Sequence, residues 1–215
     1  MVLCIDTATE QAGVALISDK ACRYLPLDRA HTSDDILRKI DELIRMEKIK
    51  LSGLTGIFVI KGPGSFTGSR IGISVANQFS HQLKIPITGL LTDQWYSYRT
   101  NEKDFIYLQS MNRDQIYMSG YGKYLMDYPQ SIVTLSECHY EIVSNPDIKW
   151  LGQLSKEHRE VFSDSHGIKN LLPPDKTWLN VIKKLKMPVY RNYHLIEPYY
   201  GKKPTITKSN RKLYI

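Results

Sequence analysis

Short apolar runs and helix-periodic segments alternate along the first 90 residues of the chain. Apolar runs bounded by polar turns are typical of buried β-strands, and five such runs lie at residues 2–6, 13–17, 22–25, 57–60 and 85–90. Apolar residues at spacings of three and four predict helices at 33–48 and 66–83. The resulting order, β-β-β-α-β-α-β, predicts a mixed sheet with helices packed on it.

The second half of the chain again places strands before helices, with weaker patterns. Strand-like runs lie at 105–111, 115–121, 131–135 and 149–152, and helical segments end near 162 and cover 175–186. We interpret this half as a degraded repeat of the first. We therefore predict an α/β protein with an amino-terminal lobe at 1–93, a smaller lobe at 94–200 and a tail at 201–215.

A glycine-rich turn at 61–72 joins the fourth predicted strand to the second predicted helix. Such strand-to-helix turns are common binding surfaces in α/β proteins. The spacing of Gly62, Gly64 and Gly68 is one residue too long for the dinucleotide fingerprint, and the phosphate-binding lysine of a P-loop is missing. Because free N–H groups at a helix start attract anions, Gly62 and Gly64 stay weak candidates for nucleotide binding.

The helix that follows this turn has two unlike faces. Gly68, Gly72 and Ala76 recur every four residues and form a smooth stripe, whereas bulkier residues such as Ile71 and Val75 form a second stripe. An interior glycine costs a helix about 1 kcal/mol relative to alanine, and a closely packed neighbour is the usual compensation. That neighbour is either the protein's own sheet and sister helix, which spacing alone favours, or another protein.

Positive charge is concentrated at the carboxyl terminus. The chain of 215 residues has a formal net charge of +7, and residues 201–215 contain five cations and no acid. These cations are Lys202, Lys203, Lys208, Arg211 and Lys212. A basic arm of this kind is either a solvated terminus or a contact for a nucleic-acid backbone without sequence specificity.

Few residues follow a pattern that carries catalysis. The six histidines lack the spacing that places two on one helical face beside an acid, and the three cysteines match no zinc or disulfide pattern, which argues for a reducing cytosol. Asp6, at the end of the first strand, is the best single candidate for a metal or phosphate role, although one carboxylate in a turn is more often a local hydrogen-bond acceptor. We expect neither a secretory leader nor a membrane span.

Three segments carry a family pattern: Ile5-Asp6-Thr7-Ala8-Thr9, His31-Thr32-Ser33 and Gly62-Pro63-Gly64-Ser65-Phe66-Thr67-Gly68-Ser69-Arg70-Ile71-Gly72. They resemble the TsaB (YeaZ) family, bacterial proteins of tRNA threonylcarbamoyladenosine biosynthesis. The glycine-rich match is specific and differs mainly at Ser69. The resemblance covers about the first 90 residues well, and beyond them Asn112-Arg113-Asp114-Gln115-Ile116-Tyr117 and Glu197-Pro198-Tyr199-Tyr200 resemble shorter family segments.

The resemblance implies two ribonuclease-H-like lobes of the actin, Hsp70 and sugar-kinase (ASKHA) superfamily, the second lobe being reduced. It also implies a cytoplasmic, non-catalytic subunit with no cofactor and no metal of its own. Its partners would be the catalytic subunit TsaD, the ATPase TsaE, a second copy when TsaD is absent, and tRNA reached through a complex that uses ATP. The basic tail would be a weak candidate for that tRNA contact.

In this family the two amino-terminal helices form the interface with TsaD or with a second copy. Carried onto this chain, the resemblance implies an interface made by one set of helical residues, namely Ile36, Ile40, Ile44, Phe66, Gly68, Ile71, Gly72, Val75 and Ala76. Two other functions stay open. One is a small ATPase or kinase that uses Asp6 and the glycine-rich turn, and the other is an RNA-binding module that acts through the basic tail.

Overall fold

The computed structural model describes residues 1–18, 21–163, 165–185 and 194–201. Within these ranges the strands are β1 (Val2–Asp6), β2 (Gly13–Ile17), β3 (Cys22–Pro26), β4 (Gly56–Gly62), β5 (Ile87–Leu91), β6 (Phe105–Asn112), β7 (Gln115–Tyr121), β8 (Ser131–Thr134) and β9 (Trp150–Gln153). The helices are α1 (Thr32–Met46), α2 (Phe66–Leu83), α3 (Thr92–Ser97), α4 (Leu135–Ser144), α5 (Lys156–Val161) and α6 (Pro174–Lys184). No helix in these ranges has the length and apolar character that a bilayer crossing requires.

The described strands form two mixed sheets with related connectivity. The first sheet has the order β3-β2-β1-β4-β5, in which β1, β2 and β3 are antiparallel neighbours and β4 and β5 continue parallel to β1. The second sheet has the order β8-β7-β6-β9, with the same antiparallel meander and a parallel β9. The predicted mixed sheet and the degraded repeat of element order are thus confirmed.

Alternation along the strands of the first sheet separates two cores. Leu3 and Ile5 of β1 point to the face that α1 and α2 cover, together with alternate residues of β2 and β4. Cys4 points to the opposite face, which packs toward the second sheet. Because every central strand is buried on both sides, it appears in the sequence as a continuous apolar run rather than an alternating one.

Aromatic side chains fill the space between the two sheets. The rings of Trp95 on α3 and Trp178 on α6 lie 4.2 Å apart, and Tyr107 of β6 packs near Tyr96 and Tyr117. The far side of the second sheet has a smaller core with α4. The predicted lobe boundary at residue 93 falls between β5 and β6, but this shared aromatic core does not test it, and it stays a prediction.

Two helices and one helix start differ from the sequence-based expectation. The short helix α3 and the helix α4 were not expected. Thr134 and Glu137 bond each other's backbone N–H groups as a capping box, which starts α4. Helix α1 begins at Thr32, one residue before the predicted start at residue 33.

Candidate partner interface

The glycine-rich turn between β4 and α2 is filled by the protein's own backbone. Ser65 caps α2 by accepting a hydrogen bond from the Gly68 N–H at 3.1 Å. A Cβ added at Gly62, which has φ +103°, would lie 2.3 Å from the Tyr199 carbonyl oxygen, and one at Gly64 would lie 2.3 Å from that of Ala8. These glycines accommodate carbonyl groups of the chain, which leaves no phosphate cradle at either of the weak nucleotide candidates.

Asp6 acts as a local hydrogen-bond acceptor. One carboxylate oxygen accepts from the N–H groups of Ala8 and Thr9, both at 3.0 Å, and the other accepts from the Thr9 hydroxyl at 2.5 Å. Burial raises the pKa of Asp6 to about 6. The hydrogen bonds from Thr9 and Ala8 oppose this rise, and the charge of Arg99 opposes it more weakly. Within the described ranges, no cluster of three His, Cys, Asp or Glu side chains could hold a metal ion.

The smooth stripe of α2 faces the protein's own first sheet. Gly68, Gly72 and Ala76 are buried, and a Cβ at Gly68 would lie 1.9 Å from the Thr7 carbonyl oxygen. At Gly72 the added Cβ would lie 2.1 Å from the Thr7 hydroxyl. These small residues therefore allow α2 to approach β1 closely. They are buried inside the chain, so their assignment to a partner surface is wrong.

The three isoleucines assigned to the interface on α1 are also internal. Ile36, Ile40 and Ile44 are 1%, 2% and 8% exposed, and they belong to the core between α1, α2 and the first sheet. A partner could reach them only if the helix left its sheet. Their apolar periodicity therefore indicates burial within the chain, because most amphipathic helices pack their apolar side against the core of their own protein.

The outward side of the two helices still carries apolar side chains. Phe66 of α2 and Leu37 of α1 are each 55% exposed, and Ile71 and Val75 are partly buried at the edge of the core. A notch of about 180 Å³ lies between the starts of α1 and α2. The interface prediction is thus left with Phe66, Ile71 and Val75, to which the structure adds Leu37.

Residues 194–201 return to this side of the molecule and extend it. The Tyr199 N–H donates to the Lys61 carbonyl at 2.7 Å, and the side chain of Asn77 makes two hydrogen bonds with the backbone of Ile196. Arg70 Nε donates to the Tyr200 hydroxyl at 2.8 Å, and the rings of Phe66 and Tyr200 are 5.0 Å apart. Sequence spacing gave no signal for this contact because its partners are far apart in the chain.

One Ser–His pair was missed by the sequence analysis. Ser110 Oγ lies 2.8 Å from His158 Nδ1, and His158 Nε2 lies 2.8 Å from the Arg113 carbonyl. The carbonyl requires a proton on Nε2, so Nδ1 accepts from the serine, whose oxygen also accepts from the Ser155 N–H. His158 is 3% exposed. The pair therefore braces β6 against α5, and both ring nitrogens are occupied.

A large cleft, also unexpected from the sequence, opens between the two sheets. It is about 730 Å³ in volume and runs from the β1–β2 turn to β9, α5, residue 163 and residues 165–171. We call it the inter-sheet cleft. The predicted tRNA contacts Lys202, Lys203, Lys208, Arg211 and Lys212 lie outside the described residues.

Comparison with known proteins agrees with this architecture. The family model TsaD, tRNA N6-adenosine threonylcarbamoyltransferase, matches residues 27–164, more than half of the chain. A "tRNA threonylcarbamoyladenosine biosynthesis protein TsaB" from Buchnera aphidicola subsp. Schizaphis graminum is 33% identical over 133 residues, which are 58% of this chain. The chain spans only 60% of that relative's length.

Two further relatives cover more of the chain. A protein of the same name from Bacillus subtilis is 26% identical over 183 residues, 80% of this chain and 79% of the relative. The structure of YeaZ from Pseudomonas aeruginosa has a TM-score of 0.61 at 21% identity, and the match covers 84% of this chain and 89% of that one. At this identity the structural likeness supports the fold alone. The matched family model and the named relatives together show that the chain belongs to the TsaD family, in its TsaB (YeaZ) group.

Proposed function

We propose that this protein is a non-catalytic subunit of the complex that installs N6-threonylcarbamoyl on adenosine 37 of tRNA. It binds the catalytic subunit TsaD through the outward sides of α1 and α2. TsaE and tRNA join through the complex, which uses ATP, and the protein pairs with a second copy when TsaD is absent. Its place of action is the cytoplasm.

The observation that carries this proposal is the family match over residues 27–164, which includes both helices. Relatives of this chain bear the name of a threonylcarbamoyladenosine biosynthesis protein. Phe66 on α2 and Leu37 on α1 are both more than half exposed, and exposed apolar surface of this kind favours a protein contact on these helices.

A supporting role rather than catalysis is favoured by how the most reactive-looking residues are used. Both oxygens of Asp6 already accept hydrogen bonds from its own turn. Carbonyl groups of Ala8 and Tyr199 occupy the places at Gly64 and Gly62 where a bound phosphate would approach the backbone. These contacts disfavour the ATPase or kinase alternative at this turn.

The strand orders also support the finer fold assignment. An antiparallel three-strand meander continued by parallel strands occurs in both sheets, and the second sheet ends one strand earlier within the described ranges. We propose that these sheets are the two ribonuclease-H-like lobes of an ASKHA protein, with the second lobe reduced. This proposal rests on the connectivity of the strands.

Co-purification with the TsaD protein of the same cell tests the interface. The double variant Leu37→Ser/Phe66→Ser removes two exposed apolar side chains, so we expect at least tenfold weaker binding to TsaD, which corresponds to about 1.4 kcal/mol. The fold should be retained because both side chains are more than half exposed. Affinity is measured by calorimetry, and folding by circular dichroism.

The matched control is Tyr140→Ser/Val143→Ser on α4, where the two side chains are 69% and 54% exposed. It removes a comparable exposed apolar area from the second lobe and should leave TsaD binding within about twofold of wild type. If both double variants weakened TsaD binding equally, or if neither variant weakened it, the interface would lie elsewhere.

Reconstitution tests the role itself. TsaD and TsaE supplied with tRNA, threonylcarbamoyl-adenylate and ATP should need this protein to form threonylcarbamoyladenosine at full rate, and the protein alone should form none. Full-rate modification without it would refute the proposal. Modification that needs residues 201–215, while TsaD binding does not, would favour the RNA-binding alternative instead.

A further inference from the structure

A buried carboxylate with one free oxygen lies where α3 meets the second sheet. Asp93, the second residue of α3, is 0% exposed. Its Oδ2 accepts a hydrogen bond from Gln130 Nε2 at 3.1 Å and another from the Tyr117 hydroxyl at 3.5 Å. Its Oδ1 is buried and accepts no hydrogen bond from the described residues. Buried polar atoms are normally hydrogen-bonded, because leaving one without a partner costs free energy.

The described neighbours of Asp93 are neutral donors rather than cations. None of the ion pairs between described residues includes it. Burial and, after it, the charge of Asp93 raise the pKa of Tyr117 and of Tyr121. Both hydroxyls therefore keep their protons, so they can donate to the carboxylate but cannot neutralise it. A carboxylate at this depth is costly unless a cation pairs with it.

The single free oxygen of Asp93 indicates which kind of cation fits. A guanidinium binds a carboxylate best through both oxygens, but Oδ2 already accepts from Gln130 and Tyr117. Calcium and magnesium prefer several oxygen ligands, and no cluster of three His, Cys, Asp or Glu side chains occurs among the described residues. A primary ammonium is a compact point charge with three donors, and one free carboxylate oxygen suits it.

Gly201, the last described residue, lies close to this carboxylate. A Cβ added at Gly201 would lie 3.3 Å from Cδ2 of Tyr117, whose hydroxyl donates to Asp93. Lys202 and Lys203 follow Gly201 directly in the sequence and lie outside the described residues. Because lysine has a flexible four-carbon stem, this part of the chain is one source of an ammonium group. A free amine from solution is the other.

We propose that Oδ1 of Asp93 binds a primary ammonium group, while Gln130 and Tyr117 hold the other carboxylate oxygen. The lysines at 202 and 203 are the source that we expect, because they adjoin Gly201. The bound charge joins α3 to β7 and to the loop before β8. None of the residues that line the inter-sheet cleft or that are assigned to the TsaD contact takes part. The site therefore goes beyond the proposed function and does not depend on it.

A double-mutant cycle on the full chain, measured by urea denaturation, tests the charge contact. Lys202→Gln/Lys203→Gln should raise the unfolding equilibrium constant about tenfold or more, because it leaves Asp93 without its partner. In an Asp93→Asn background the same change should cost less than about twofold, since the charge to be paired is gone. The matched control Lys208→Gln/Lys212→Gln removes two other lysines of the same tail and should stay within about twofold in both backgrounds.

Methylammonium chloride, compared with sodium chloride at one ionic strength, separates the two sources. If the lysines supply the ammonium group, methylammonium should stabilise Lys202→Gln/Lys203→Gln and leave wild type unchanged. This comparison also decides the case in which Asp93→Asn fails to fold. If a free amine supplies the group, the cycle should show no coupling and methylammonium should stabilise wild type.

Both of these results support an ammonium site at Asp93. The proposal is overturned if the cycle shows no coupling and methylammonium stabilises neither wild type nor Lys202→Gln/Lys203→Gln more than sodium does. It is also overturned if Lys208→Gln/Lys212→Gln couples to Asp93 as strongly, because the effect would then follow from the charge of the tail as a whole.

Discussion

The glycine-rich turn and the inter-sheet cleft contrast in how they appear in sequence and in space. The turn looks like a binding loop because glycines cluster over a few consecutive residues, yet carbonyl groups of Ala8 and Tyr199 fill the space that those glycines leave. The cleft has no local motif, yet it combines open volume with the buried charge of Arg99. A cluster of glycines therefore indicates that another group lies close to the backbone, but the same pattern arises whether that group is a ligand or another part of the chain.

Gly68→Ala should have the largest effect of the changes that test this contrast. Alanine favours a helix interior by about 1 kcal/mol over glycine, so propensity alone predicts stabilisation. Packing predicts the opposite, because the new Cβ would lie 1.9 Å from the Thr7 carbonyl oxygen, a backbone atom. We expect a loss of more than about 3 kcal/mol in unfolding free energy, at the severe end for point mutants, measured by urea denaturation.

Gly53→Ala is the matched control for that substitution. Its added Cβ would lie 3.7 Å from the nearest side-chain atom, Ile49 Cβ, which is an ordinary contact. Stability should change by less than about 1 kcal/mol. If Gly68→Ala were as well tolerated as Gly53→Ala, the turn would have room that the structure assigns to its own backbone.

Asp6 lies between the two regions and should make stability depend on pH. Its pKa is about 6 in the folded protein and roughly 3.9 when unfolded, so the folded state binds the proton more tightly. Unfolding free energy should therefore fall as pH rises from about 4 to about 6, by roughly 3 kcal/mol from this group. Asp6→Asn keeps an acceptor for the N–H groups of Ala8 and Thr9 but does not titrate.

Urea denaturation of wild type and Asp6→Asn across pH 4 to 7 measures this contribution, because other carboxylates cancel in the difference. The substituted protein should gain stability relative to wild type as pH rises through that window. Parallel curves would mean that Asp6 is not desolvated, and that the turn is open to water as a ligand site would be.

Thr7→Val should have a moderate effect on the contact between β1 and α2. The Thr7 hydroxyl donates to the Gly68 carbonyl at 2.7 Å in a buried position, and its loss costs about 1 to 2 kcal/mol. Thr67→Val, at an exposed position in the first turn of α2, should change stability by less than about 0.5 kcal/mol. Thermal unfolding of both variants gives the comparison, and equal costs would contradict a closed turn.

Arg159→Gln/Lys169→Gln at the cleft rim should have the smallest effect on stability. Both side chains are exposed, and neither takes part in an ion pair between described residues. The change in unfolding free energy should stay within about 0.5 kcal/mol. A cost above about 1 kcal/mol would show that the rim holds the two sheets together rather than bordering an open site.

The sequence by itself determined most of the strands and the two longest amino-terminal helices. Continuous apolar runs such as Ile57–Ile60 are unambiguous because a strand buried on both faces has no polar side. Helix α4 was not predicted because apolar residues lie on both of its sides. Tyr140 and Val143 are exposed, so the spacing of the buried Cys138 and Ile142 does not stand out as a helical period. The family was also recognisable from local motifs, because turns and caps are local.

Only the tertiary structure decided what each surface faces. Periodicity established that α1 and α2 each have a stripe to bury, but an internal sheet and a foreign protein impose the same spacing. The placement of Gly68, Gly72 and Ile36 inside the molecule therefore could not follow from the pattern. Arg99 meets the β1–β2 turn and β9 through contacts far apart in sequence, and such contacts arise from packing between elements, which no local spacing encodes.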